Sequence, residues 1–114
     1  MPADSPDAAD VILALTTEAD AGRAEALAQH LLLQRLAACV TLSPVSSWYH
    51  WQGSLARSEE VQLLIKTTAG RLEELAAAVQ RLHSYDTPQW LSWPASAGPG
   101  YGQWLTESCS PGDG

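Results

Sequence analysis

The chain has 114 residues, 46% hydrophobic and 17% charged, a length and composition that support one folded domain and leave no room for a second core. Thirteen acidic against six basic side chains give a formal charge of −7. That balance excludes nucleic acid and anionic membrane as natural partners, because both require a basic face.

Residues 1–9 carry Pro2, Pro6 and aspartates but no basic start and no apolar run, so they read as a disordered tail and not as a secretory signal. The folded domain is expected over residues 10–107. A flexible tail is expected over 108–114, where Cys109 sits among Ser, Pro and Gly in a setting that does not pack. No stretch approaches the roughly 20 apolar residues of a membrane span. Two cysteines in unlike settings do not make a disulfide framework, and reduced thiols fit a cytoplasmic location.

Asp10–Thr17 is apolar on both alternating faces, the pattern of a central strand. Asp20 can cap a helix over Ala21–Arg35, in which Ala24, Leu27, Ala28 and Leu31 form an apolar stripe. Ala38–Trp51 is rich in β-branched and aromatic residues, and Pro44 within it predicts a bulge or a sheet edge. Gln52-Gly53 supplies a turn, and Glu59–Thr67 returns as a half-buried strand, giving one long hairpin. Thr68 is the expected cap of a second helix. There Glu73 and Glu74 suit the positive end of the dipole, and Leu72, Leu75, Ala76, Val79 and Leu82 make the buried stripe. Gln89–Trp93 reads as a short edge strand closed by Pro94; Gly98-Pro99-Gly100 then breaks the chain before a short turn around Tyr101–Thr106. The order strand, helix, strand, strand, helix, strand defines an α+β domain of the split β-α-β, ferredoxin-like kind: an antiparallel sheet with two helices on one face. The other face is left bare, and self-association through the sheets is the simplest way to cover it.

Four motifs stand in register along this plan: Leu36-Ala37-Ala38-Cys39-Val40, Ser47-x-Tyr49-x-Trp51-x-Gly53, Glu60-Val61 running to Lys66-Thr67, and His83-x-Tyr85-x-x-Pro88. In order and spacing they resemble the CutA family of divalent-cation-tolerance proteins, from about Val11 to Leu105. The resemblance implies a ferredoxin-like homotrimer, similar in architecture to PII-type signalling proteins, with sheets facing inward and hairpins exchanged between neighbours. It also implies a role in tolerance of copper or another divalent cation, with a cleft between subunits as the binding site and Lys66, Tyr85, Trp51 and Glu60 as possible cleft residues. The sequence departs from the family pattern at Thr41, where asparagine is usual, and at Gln89 and Trp90, where glutamate and isoleucine are usual. Gln89 in place of a carboxylate weakens any cation site that relied on it.

Cys39 and His83 are the candidate metal ligands, because thiolate and imidazole are the donors that copper and zinc prefer. Each has a plainer reading. A cysteine within Ala-Ala-Cys-Val also serves as a small buried hydrophobe, and a histidine that ends a helix also caps it. His50 lies in the hairpin between Tyr49 and Trp51, as an exposed or interface histidine. Trp48, Tyr49, Trp51, Trp90, Trp93 and Trp104 are expected to bury area in the core and between subunits. Glu60 and Lys66 share one face of a strand but stand ~20 Å apart, so neither can pair the other there. No nucleophile with its base, carboxylate pair or phosphate loop is visible, so the protein is expected not to be an enzyme. The alternatives to metal tolerance are a PII-like module that binds a small anionic metabolite or a partner protein, and a scaffold trimer.

Overall fold

The computed structural model describes residues 11–111. Its elements are β1 Val11–Glu18, α1 Ala21–Leu33, β2 Cys39–Trp51, β3 Ser54–Thr68, α2 Leu72–Leu82, β4 Leu91–Pro94 and α3 Pro99–Ser108. The strands form one sheet in the order β2-β3-β1-β4, and each adjacent pair is antiparallel. The expected N-terminal tail of residues 1–9 lies outside the described residues.

β1 is apolar on both faces because it is internal. Its partner β3 runs from Thr68 opposite Val11 to Val61 opposite Glu18. Strand alternation sends Ala14, Leu63 and Ile65 to one side, where Ala24, Leu27, Ala28 and Leu31 of α1 and Leu75, Ala78 and Val79 of α2 meet them in a single core. α1 starts as expected, with the Asp20 carboxylate accepting from the Arg23 N–H at 2.8 Å. It ends two residues earlier than its pattern suggests. Arg35 adopts φ 57, and the N–H groups of Leu36 and Arg35 bond to the carbonyls of Leu31 and Leu32, both at 3.0 Å. This is a Schellman closure with arginine in the position that glycine usually takes, held by the contact of buried Leu36 with the core.

Pro44 sits on an edge strand and causes no bulge: β2 and β3 keep one unbroken register from Cys39 opposite Lys66 to Trp51 opposite Ser54. β3 begins at Ser54, five residues before its apolar pattern does, because backbone pairing with β2 continues where side-chain burial has stopped. Gln52 and Gly53, at φ 50 and 83, close the hairpin with two successive left-handed residues, as a two-residue type I′ turn requires. The hairpin raises the radius of gyration to 15.5 Å, against about 13 Å for a compact domain near this length.

Several expectations need correction. Thr68 makes no side-chain capping bond; a 3₁₀ turn, Ala69–Arg71, leads into α2 instead. The last strand is Leu91–Pro94, so Gln89 and Trp90 precede it and Pro94 pairs with Ile12 at the sheet edge. The expected terminal turn is a third helix, α3, with Pro99 at its start, where proline's missing N–H costs nothing. Cys109 is no part of a loose tail: it caps α3 and is buried with Leu105 against Val11. Residues 112–114 lie outside the described residues.

Candidate functional site

The sheet face turned away from α1 and α2 collects the side chains that alternate with the core positions. Reading across the strands by register, one row is Leu91, Leu15, Leu64 and Thr41, and the next is Trp93, Leu13, Lys66 and Cys39. Leu13, Leu15 and Leu64 are half-buried, while Leu91 and Trp93 are 51% and 41% exposed. Five large apolar side chains thus form a continuous strip, beside Val11, which Leu105 and Cys109 of α3 cover.

Polar groups flank the strip in two clusters. In the first, the Lys66 Nζ donates to Cys39 Sγ at 3.7 Å and to Thr41 Oγ1 at 3.3 Å. The cluster depends on register alone, since Cys39 stands opposite Lys66 in the β2–β3 ladder. In the second, Glu60 Oε2 accepts from the Tyr85 hydroxyl at 2.8 Å and from Thr17 Oγ1 at 3.4 Å. Burial, and then this bond to the Glu60 carboxylate, push the Tyr85 phenol up to about 12.

His83 anchors the second cluster from below. Its Nε2 donates to the Thr17 carbonyl at 2.5 Å, and its Nδ1 accepts from the Tyr85 N–H at 3.0 Å. The Glu18 Oε2 also lies 3.5 Å from Nδ1, so the imidazole edge is packed between the Tyr85 backbone and this carboxylate. Glu18 is itself buried. Burial acts to raise its carboxyl, but the hydroxyl and N–H of Ser84, at 2.6 and 3.0 Å, and the Ala19 N–H, at 3.0 Å, outweigh burial and hold it below the usual carboxylate range. This contribution to stability is present above the ordinary carboxyl range and is lost as pH falls through the lowered value. Sequence reading missed Glu18, because Ser84, which gives it two of its three hydrogen bonds, lies 66 residues away and no local pattern marks it.

The sequence-predicted site residues therefore divide. Tyr85 and Glu60 meet; Lys66 meets Cys39; His83 joins Tyr85 through the backbone. Cys39 and His83 do not meet within one chain. His83 binds at Thr17, four residues along β1 from Leu13, and Leu13 is two strands removed from Cys39 in its row, so the offset is about 13 Å along the strands and about 10 Å across them. Trp51 lies ~40 Å along β2 from Cys39, at the hairpin end. Among the described residues no three His, Cys, Asp or Glu side chains gather closely enough to hold a metal ion. The donors as arranged in one chain do not fit a cation, since an ammonium sits beside the thiol and both nitrogens of His83 are engaged. Of the six aromatics expected to bury area in the core and between subunits, Trp90 packs against the core, and Trp48, Tyr49, Trp51, Trp93 and Trp104 are exposed on the single subunit.

The Tyr85–Glu60 bond gives a direct spectroscopic expectation. Tyr85 ionises late, near pH 12, when tyrosinate absorbance is followed through alkaline titration, and Tyr85→Phe removes that component. Folding favours the neutral phenol, so its contribution is intact below the ordinary tyrosine pKa of about 10 and fades as pH rises through 12. Unchanged late titration in the variant assigns the effect to another ring.

A four-stranded antiparallel sheet with α1 and α2 on one side, an apolar strip on the other and a far-reaching hairpin defines a small α+β protein built around a partly exposed sheet surface. The family model that describes the CutA1 divalent ion tolerance protein matches residues 12–108. The chain belongs to that family. It is 43% identical over 101 residues to the divalent-cation tolerance protein CutA of Pectobacterium atrosepticum, covering 87% of this chain and 92% of that one. Among solved structures, CutA from Synechococcus elongatus superposes with a TM-score of 0.87 at 40% identity, covering 90% and 92% of the two chains. The periplasmic divalent cation tolerance protein CutA from Archaeoglobus fulgidus superposes with a TM-score of 0.84 at 29% identity, covering 88% of this chain and 99% of that one. Among the described residues no helix is long and apolar enough to cross a membrane.

Proposed function

We propose that this divalent-cation-tolerance protein works as a homotrimer of ferredoxin-like subunits, assembled through the bare sheet face, with copper or another divalent cation held between subunits and not within one. The observation that carries this reading is the strip formed by Leu13, Leu15, Leu64, Leu91 and Trp93. Water-exposed apolar area of this kind favours association. The separation of Cys39 from His83 and Trp51 supports the second half, because only a neighbouring copy can bring such distant groups to one cleft. For Cys39 and His83 to act as ligands, Lys66 must leave the thiol and Nδ1 must release the Tyr85 N–H. Both cysteines are free thiols, which fits a cytoplasmic setting. The role is binding, not catalysis.

Copper titration of the purified protein tests the site. Saturable binding is expected at a fixed ratio of ion to subunit, and Cys39→Ser is expected to weaken it at least about tenfold by replacing a soft donor with a poor one. Equal affinity in wild type and Cys39→Ser removes Cys39 from the site.

A further inference from the structure

The helical layer carries a groove on the side of the molecule away from the bare sheet face. It runs between α1 and α2, encloses about 450 Å³, and is lined by His30, Gln34, Arg71, Glu74, Ala77 and Arg81, among others. The groove exists because Ala77 and Ala78 are too short to fill the space between the two helices, while the longer side chains stand as its walls. Its volume falls in the range of small-molecule sites.

Its charge is opposite to that of the chain. The protein has thirteen acidic and six basic side chains, yet two arginines and a histidine line this groove against one carboxylate. That carboxylate, Glu74, is already bonded to Arg71 Nη1 at 2.7 Å. Arg71 is held firmly: its Nε donates to the Arg35 carbonyl at 3.1 Å, its Nη2 donates to the Gln34 carbonyl at 3.2 Å, and its side chain is only 15% exposed. Three of its five N–H groups are spent, so two remain in a pre-set direction. The side chains of Arg81 and His30, on the two facing helices, have no hydrogen-bond or ion-pair partner among the described residues.

We propose that this groove binds a small phosphate monoester, with the phosphate received by Arg81 and His30, assisted by the remaining N–H groups of Arg71 and the Gln34 amide. Donors approach from both helices, a geometry that suits three terminal oxygens pointing in different directions better than the two coplanar oxygens of a carboxylate. The volume exceeds what inorganic phosphate fills, and the alanine floor accepts a short organic stub. The site lies apart from the sheet face, so it stays open whether or not copies pack there.

Calorimetric titration of the intact protein with glycerol phosphate tests the assignment, with succinate titrated in parallel. Saturable binding of the phosphate ester is expected, about tenfold or more weaker in Arg81→Ala, as the loss of a charge-assisted bond implies, and weaker also in His30→Ala. Arg57→Ala, on the distant hairpin, leaves it unchanged. Arg81 bonds to no other described group, so its removal spares the fold. The proposal is overturned by failure to saturate in the millimolar range, by succinate binding as tightly as the ester, or by equal losses in the Arg81 and Arg57 variants.

Discussion

Leu63→Ala lowers the free energy of unfolding by about 2–5 kcal/mol, read from urea or thermal denaturation. Leu63 is fully buried in the larger of two core clusters, beneath α1 and α2 and together with Ile65, Leu31 and Leu75. Truncation removes the transfer energy of its lost methyl groups and leaves a cavity that two helices and a sheet, fixed by their own packing, cannot close. A loss below 1 kcal/mol means that the helices do collapse onto the sheet, and that the core is looser than its burial implies. If the protein associates, the comparison belongs at one protein concentration, because assembly adds to apparent stability.

Leu64→Glu, one residue along the same strand, has the opposite character. Leu64 points to the bare face, between Leu15 of β1 and Thr41 of β2. A carboxylate there costs the isolated subunit little, since it meets water. Between packed sheets it would be an unpaired buried charge, which costs several kcal/mol per copy. The expected result by light scattering is a wild-type mass of three times the 12.2 kDa subunit and loss of that assembly in the variant. Leu33→Glu serves as the control, because Leu33 is 81% exposed on α1, and it is expected to leave the mass unchanged. A wild-type protein that stays at subunit mass, or a Leu64→Glu protein that still assembles, rejects the sheet face as the contact.

Most of the architecture was legible because it rests on local periodicities: two-residue alternation in β3, the apolar stripes of α1 and α2, and the Gln52-Gly53 turn. α3 was not. Gly98-Pro99-Gly100 signals a break as well as a start, and two glycines within the helix lower its intrinsic preference. What stabilises α3 is Leu105 and Cys109 packing on Val11 at the other end of the chain, which no window of sequence contains. The site was legible only as a set of residues. That Lys66 would meet Cys39 follows from hairpin register, which the turn could have supplied. That Tyr85 would meet Glu60, Ser84 meet Glu18, and His83 meet the Thr17 carbonyl depends on how the chain leaves α2, and this is set by tertiary packing.

Thr17 and Glu18 are consecutive on β1 and face opposite ways, yet the three residues from His83 to Tyr85 grip the strand end from both sides: Ser84 on Glu18, Tyr85 on Glu60 beside Thr17, and His83 on the backbone between them. This tripeptide works like a clothes-peg. A force that prises Tyr85 off Glu60 also strains the bonds of Ser84 to Glu18, so the two surfaces of the sheet are mechanically geared at this one point and cannot be remodelled independently.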